Sequence, residues 1–380
     1  MIEFNRNLMT SIVACQCDAR PMSLPHPRPV IGAMPRYIPG ARGPVCAIPP
    51  VKLSSNEVPF GPLPSVVQAL AGAASGINRY PDMFSVDLTA RLADHVGMAP
   101  TQVVIGGGSV AVLAHVLQAY CDAGDEVIYA WRSFEAYPIL AAIQGVTPVQ
   151  VPLADGGRHD LAAMSAAVTD RTKIVILCSP NNPTGPSIGE EAFDAFMAGV
   201  RSDVLVVLDE AYIEFVRDPG TVNGPAALVR HPNLILIRTF SKAYGLAGLR
   251  IGYAVGPDEL IAPIRACVTP FSVNSLAQTA AIASIEATDE LLERVAQVVA
   301  ERGRVVPLVR ELGFDVPDAD GNFFWLPVGD GAAPLAQVLG AHDPTVLVRP
   351  FAGEGVRVSI GTGEENDAML GALAAYQEPK

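Results

Sequence analysis

The sequence predicts an α/β protein: a large domain with a mainly parallel sheet flanked by helices, followed by a smaller α+β domain. Three observations carry this. The chain has 380 residues, half of them apolar and only 17% charged, which is the composition of a compact globular protein too long for one small core. In its middle, short β-branched apolar runs alternate with longer helical patterns. After about residue 275 that alternation gives way to long helices and a few short strands.

The apolar runs are Gln102 to Ile105, Glu126 to Tyr129, Lys173 to Leu177, Val204 to Leu208 and Leu234 to Ile237. Being apolar at consecutive positions, they suit strands covered on both faces, with the helical segments between them as parallel crossovers. Residues 56–270 are therefore predicted to form the large domain. Helices over Ala277 to Glu286 and Asp289 to Leu312, with strands around Asn322 to Leu326 and Val356 to Ile360, make 271–380 the small C-terminal domain. Residues 29–55 are Pro-rich and are expected to lie against that smaller domain. Residues 1–28 are expected to form a flexible tail.

Charge and cysteine usage narrow the function. A net charge of -13 argues against nucleic acid or an anionic membrane as partner, because a polyanion is repelled. Six scattered cysteines (Cys15, Cys17, Cys46, Cys121, Cys178, Cys267) give neither a zinc-site spacing nor a disulfide framework, so no metal is expected. The apolar stretch Ser11 to Cys15 is far shorter than a signal-peptide core. A cytoplasmic protein is the expectation.

Five segments carry candidate chemistry. Gly106-Gly107-Gly108-Ser109 ends one strand and opens a helix, so backbone N–H groups and the positive end of the helix dipole face a phosphate there. Taken alone, it is more often an ordinary glycine-rich turn. Ser133-Phe134 follows the strand Glu126 to Tyr129, where an aromatic ring can stack on a planar ligand. Ser179-Pro180-Asn181-Asn182-Pro183-Thr184-Gly185 places an amide at a strand end. Asp209-Glu210-Ala211-Tyr212 follows an entirely apolar strand, where a carboxylate is costly without a cationic partner such as a protonated pyridine; a simple loop-capping acid is an equal alternative. Thr239 to Gly252 combines Ser241, Lys242 and Arg250, which offer an amine for an imine and a hydroxyl and guanidinium for a phosphate dianion.

Together these segments resemble the fold-type I pyridoxal-5'-phosphate (PLP) dependent aminotransferases, specifically the histidinol-phosphate aminotransferase branch. Tyr37-Ile38-Pro39-Gly40, Lys52 to Glu57, Asn78-Arg79-Tyr80-Pro81-Asp82 and Val356 to Gly361 extend the likeness over nearly the whole chain from about residue 30. The resemblance implies that Lys242 holds PLP as a Schiff base, Asp209 pairs the pyridine nitrogen, Tyr212 and Asn182 bond the phenolic oxygen, and Phe134 stacks on the ring. It places the phosphate on Gly108, Ser109, Val110, Ser241 and Arg250, and on Tyr80 from the second subunit of a homodimer. Arg357 would take the substrate's α-carboxylate, with Tyr37, Asn322 and Arg349 as further substrate contacts.

Within the branch, Gly106 to Ala111 and Trp131 to Pro138 look most like the actinobacterial aromatic amino-acid (phenylalanine) aminotransferases. Many histidinol-phosphate enzymes carry acidic residues where this chain has Val110 and Ala111. The expected reaction is transamination of phenylalanine or tyrosine with 2-oxoglutarate or a similar oxo acid. Histidinol-phosphate transamination is the leading alternative, ahead of a PLP-dependent decarboxylase and a catalytically inactive PLP-binding protein. A substrate phosphate would need its own cations, for which only Arg36, Arg132, Arg349 and Lys52 are candidates.

Overall fold

The computed structural model describes residues 26–34, 37, 40 and 49–376. Most of the expected tail, the cysteines Cys15, Cys17 and Cys46, and Arg36, Ile38 and Pro39 lie outside the described residues. Twelve strands occur among the described residues: β1 (Val51–Lys52), β2 (Val103–Gly106), β3 (Glu126–Trp131), β4 (Thr147–Pro152), β5 (Thr172–Cys178), β6 (Leu205–Asp209), β7 (Leu234–Thr239), β8 (Gly252–Val255), β9 (Phe323–Gly329), β10 (Val346–Leu347), β11 (Arg349–Phe351) and β12 (Glu354–Ser359).

Seven of them form one sheet in the order β2-β8-β7-β6-β5-β3-β4. Every neighbouring pair is parallel except the two made by β8, which runs against both β2 and β7. The mainly parallel sheet is thus as predicted. Its strands are buried on both faces because alternate side chains enter opposite cores. Val206, Leu208, Leu234 and Leu236 face one core, while Leu205, Val207, Ile235 and Ile237 face the other.

Two strands of this sheet were not predicted. β4 (TPVQVP) is an edge strand of mostly exposed residues with prolines at 148 and 152, a pattern that reads as a loop and is tolerated only at an edge. β8 follows directly on the glycine-rich segment around Lys242, and its four residues are too few to show a period. At the other end, Gln102 belongs to a single helical turn, Pro100–Gln102, and β2 starts one residue later than expected.

A second, three-stranded antiparallel sheet has the order β11-β12-β9, with Arg349 directly opposite Arg357. The 24-residue helix Thr288–Glu311 buries Leu291, Val295, Val298, Val305 and Val309, a stripe at helical spacing. The segment 29–55 divides, contrary to its single expected placement. β1 pairs with β10, whereas Arg28, at the N-terminus of the short helix Pro29–Ala33, donates to the Ile143 carbonyl at 2.8 Å on the helix Ala136–Gln144 of the large sheet. A Pro-rich run has no period to say which surface it follows.

Parallel direction has one consequence that matters for the site. The carboxyl ends of β3, β5, β6 and β7, and of β2 beyond β8, all reach the same edge of the sheet, where ligands of open α/β sheets bind.

Candidate active site

At that edge lies a cavity of about 480 Å³. Its lining includes Ser109, Val110, Phe134, Asn182, Asp209, Tyr212, Ser241, Lys242, Arg250, Arg349, Arg357 and Tyr37, so most residues singled out from sequence meet here although they are up to 320 positions apart. Three more come from two separate connections: Glu135 follows β3, and Ser54 and Ser55 follow β1.

One corner is built from glycines. Gly108 has φ +94°, and a Cβ there would lie 2.4 Å from Nη2 of Arg250; a Cβ at Gly252 would lie 2.4 Å from the Ser109 nitrogen. A side chain at Gly108 would be strained and would displace Arg250, and one at Gly252 would strike backbone. The guanidinium of Arg250 therefore sits against the N-terminus of the helix Ser109–Tyr120, and its Nη1 donates to Ser241 Oγ at 3.1 Å. Unpaired N–H groups, a hydroxyl and a fixed cation at a helix start form an anion site.

The amine and the acid occupy neighbouring strand ends. Nζ of Lys242 donates to the Ser55 carbonyl at 3.1 Å, and its charged form is disfavoured first by burial and then by the nearby Arg357, which brings its pKa down to about 7. An amine held near neutrality is a nucleophile and a proton acceptor. Asp209, the last residue of β6, is buried, which raises its pKa to about 6. Its Oδ2 accepts from the Tyr137 hydroxyl at 2.7 Å and its Oδ1 from the Ala211 N–H at 3.2 Å. Among the described residues it forms no ion pair, so its charge lacks the partner that a buried carboxylate needs.

Hydrogen bonds fix the remaining polar groups. The Tyr212 hydroxyl accepts from Asn56 Nδ2 at 3.0 Å, and burial raises its pKa. Arg357, buried at 8% exposure, donates to Asn182 Oδ1 at 2.5 Å and to the Ser54 carbonyl at 3.0 Å. Asn182 therefore has only its Nδ2 left to donate. Phe134 meets Tyr137 edge to face, with ring centroids 5.6 Å apart.

Two residues named for the site do not line this chain's cavity: Asn322, and Tyr80, which was expected to serve a second subunit. Asn322 is buried, and its Nδ2 donates to the Asn56 carbonyl at 3.1 Å. Tyr80 is 82% exposed and rests on Phe271 at 4.7 Å between ring centroids, away from its own chain's cavity. The additional cations are already paired. Arg132 bonds Glu354 through Nε at 2.6 Å, Arg349 bonds Glu135 at 2.7 Å, and Lys52 bonds Glu57 at 2.6 Å.

Sequence reasoning missed Tyr137, Asn56, Glu135 and the Ser54–Ser55 carbonyls. Their partners lie 72 to 303 positions away, and nothing local marks them. Asn181 was visible only as part of a turn, yet its side chain joins Ser133 Oγ, the Arg132 carbonyl and Thr184 Oγ1, binding the loops after β3 and β5 together.

Fold and cavity define an α/β enzyme with a half-buried lysine of lowered pKa at the carboxyl ends of parallel strands. The family described as "Aminotransferase class I and II" matches residues 48–373, and the chain belongs to it. The chain is 49% identical over 356 residues to an "Aromatic amino acid aminotransferase" of Streptomyces avermitilis, covering 93% of this chain and 98% of the relative. It is 50% identical over 343 residues to one of Corynebacterium efficiens, covering 90% and 96%. Among solved structures, histidinol-phosphate aminotransferase from Sinorhizobium meliloti in complex with pyridoxal-5'-phosphate superposes with a TM-score of 0.84 at 28% identity, covering 93% of this chain and 98% of that one.

Proposed function

We propose that the chain is a PLP-dependent aminotransferase that moves the amino group of phenylalanine or tyrosine to 2-oxoglutarate or a similar oxo acid. The observation that carries this is one cavity holding a near-neutral half-buried lysine, an uncompensated buried carboxylate and a glycine-built anion corner. These three features fit PLP's aldehyde, ring nitrogen and phosphate in turn. When bound, PLP withdraws electrons from the substrate Cα through its ring.

The chain's own groups divide the remaining work. Lys242 would hold the cofactor's aldehyde, and its amine would move the proton at the substrate Cα. Asp209, aligned by Tyr137, keeps the ring nitrogen protonated. Tyr212 and the Asn182 Nδ2 bond the phenolic oxygen, Phe134 covers one ring face, and the N–H groups of Ser109 and Val110, with Ser241 and Arg250, hold the phosphate. Arg357 binds the α-carboxylate. Burial of Lys242 and Arg357 excludes water that would compete for these bonds.

Ala136, Ile139, Leu140 and Phe351 give the cavity an apolar wall, which suits an aromatic side chain, and the relatives' names agree. Steady-state kinetics should show kcat/KM for phenylalanine or tyrosine exceeding that for histidinol phosphate. A tenfold preference for histidinol phosphate would overturn the reading. Tyr80, exposed on its own subunit, is read as completing the phosphate site of a second subunit in a cytoplasmic homodimer.

Gly108→Ala tests the anion corner. Left-handed strain of about 1–3 kcal/mol and a methyl group against Arg250 should raise the dissociation constant for PLP about tenfold or more. Absorbance titration of the cofactor-free protein measures it, and unchanged affinity would remove Gly108 from the phosphate site.

A further inference from the structure

Three guanidinium groups crowd one aromatic ring, and two of them, those of Arg349 and Arg357, line the cavity. The central carbons of Arg132, Arg349 and Arg357 lie 5.3, 5.3 and 6.0 Å from the centroid of the Phe351 ring. Such a cluster is the arrangement that binds a phosphate dianion. Two carboxylates stand in the way. Glu135 holds Arg349 and Glu354 holds Arg132, while Arg357 contacts the neutral oxygens of Asn182 and Ser54.

We infer that Glu135 and Glu354 determine substrate specificity by cancelling two of these three arginines, leaving the wall with one net positive charge for one α-carboxylate. This rests on the reading of Arg357 as the carboxylate site. Three cations less two carboxylates leaves +1, which matches an amino acid with an uncharged side chain. Histidinol phosphate carries a phosphate monoester where an amino acid carries its α-carboxylate, so it presents close to two negative charges at neutral pH in place of one. To bind, it must displace a glutamate from its arginine and leave that carboxylate partly buried without a partner, an arrangement that rejects the wrong ligand by repulsion.

The pairing pattern supports an electrostatic role. The connection after β3 contributes Arg132 and Glu135, and the small sheet answers with Glu354 and Arg349, so each ion pair crosses between the two. Glu135, Arg349 and Phe351 line the same cavity as Lys242. A purely structural clamp would depend on these pairs for stability but would be indifferent to the charge of the substrate's anionic group.

The test uses the PLP-loaded enzyme and its variants Glu135→Gln, Glu354→Gln and the double variant. The readout is the ratio of kcat/KM for histidinol phosphate to that for phenylalanine, supported by the inhibition constant of phenyl phosphate against phenylalanine. Glu135→Gln should raise the ratio about tenfold and tighten phenyl phosphate, and the double variant should raise it further. Adding Arg349→Gln to Glu135→Gln should return the ratio to the parent's value, because the gain is carried by the charge of Arg349 no longer offset by Glu135. A ratio within twofold of the parent in a folded, PLP-loaded double variant would overturn the inference, as would a gain that survives loss of Arg349. If the double variant does not fold, the single variants and phenyl phosphate inhibition decide by the same criteria. A parent enzyme that already prefers histidinol phosphate would instead sink the functional reading, before any variant is compared.

Discussion

Lys242→Ala should lower kcat by about 10³-fold or more, since a positioned acid–base group alone contributes ~10²–10⁴ and the covalent attachment is lost with it. The purified variant should also lack the visible absorbance of a lysine-bound cofactor. A second consequence concerns pH. The amine's pKa falls from its ordinary 10.5 to about 7 on folding, so between those values the unfolded chain binds the extra proton and stability rises with pH. The penalty for burying the ammonium is fully present below pH 7. Thermal melts of cofactor-free protein from pH 6 to 10 should therefore show a rising component in the parent that Lys242→Ala lacks. Near-normal turnover by the variant would remove Lys242 from the mechanism.

Asp209→Asn should separate activity from stability. An amide cannot keep a pyridine nitrogen protonated, and losing one preorganised charge should cost about 10²–10³-fold in kcat. Stability should move the other way. Burial raises the carboxyl from 3.8 to about 6, so the ionised form costs the cofactor-free fold about 3 kcal/mol above pH 6, and that cost disappears as pH falls below 3.8. Cofactor-free Asp209→Asn should thus melt higher than the parent at pH 7.5, with the difference gone near pH 4. Equal rates for variant and parent would make Asp209 a structural residue.

How much of this was legible in the sequence depends on how local the signal was. β5, β6 and β7 were readable because strands covered on both faces must be apolar at every position, and the site residues at their ends follow in the chain within a few positions. β4 was hidden because an edge strand needs apolar residues on only one face, and its prolines imitate a loop. The order of the sheet was not legible at all, since connections cross over helices and leave no trace in periodicity. At the site, Lys242, Asp209 and Arg250 were recognisable by residue type and spacing. The Tyr137 bond to Asp209 and the Glu135 bond to Arg349 were not, because each joins segments that only the folded chain brings together. The bond of Asn322 to the Asn56 turn was hidden for the same reason: its position beside β9 was foreseeable, but the partner 266 positions away was not.

The division of the cavity between two sheets bears on how such an enzyme changes. The groups read as holding the cofactor come from the carboxyl ends of the seven-stranded sheet, whereas Arg349, Phe351 and Arg357 belong to β11 and β12 of the other. Cofactor affinity and substrate choice are then separately heritable. Substitutions confined to β11, β12 and their glutamate partners can redirect the enzyme toward a new amino donor while the other half, with its lysine, acid and glycine corner, goes on working unaltered. A lineage of this architecture can diversify by drift at one wall, without passing through an ancestor that has lost its catalyst.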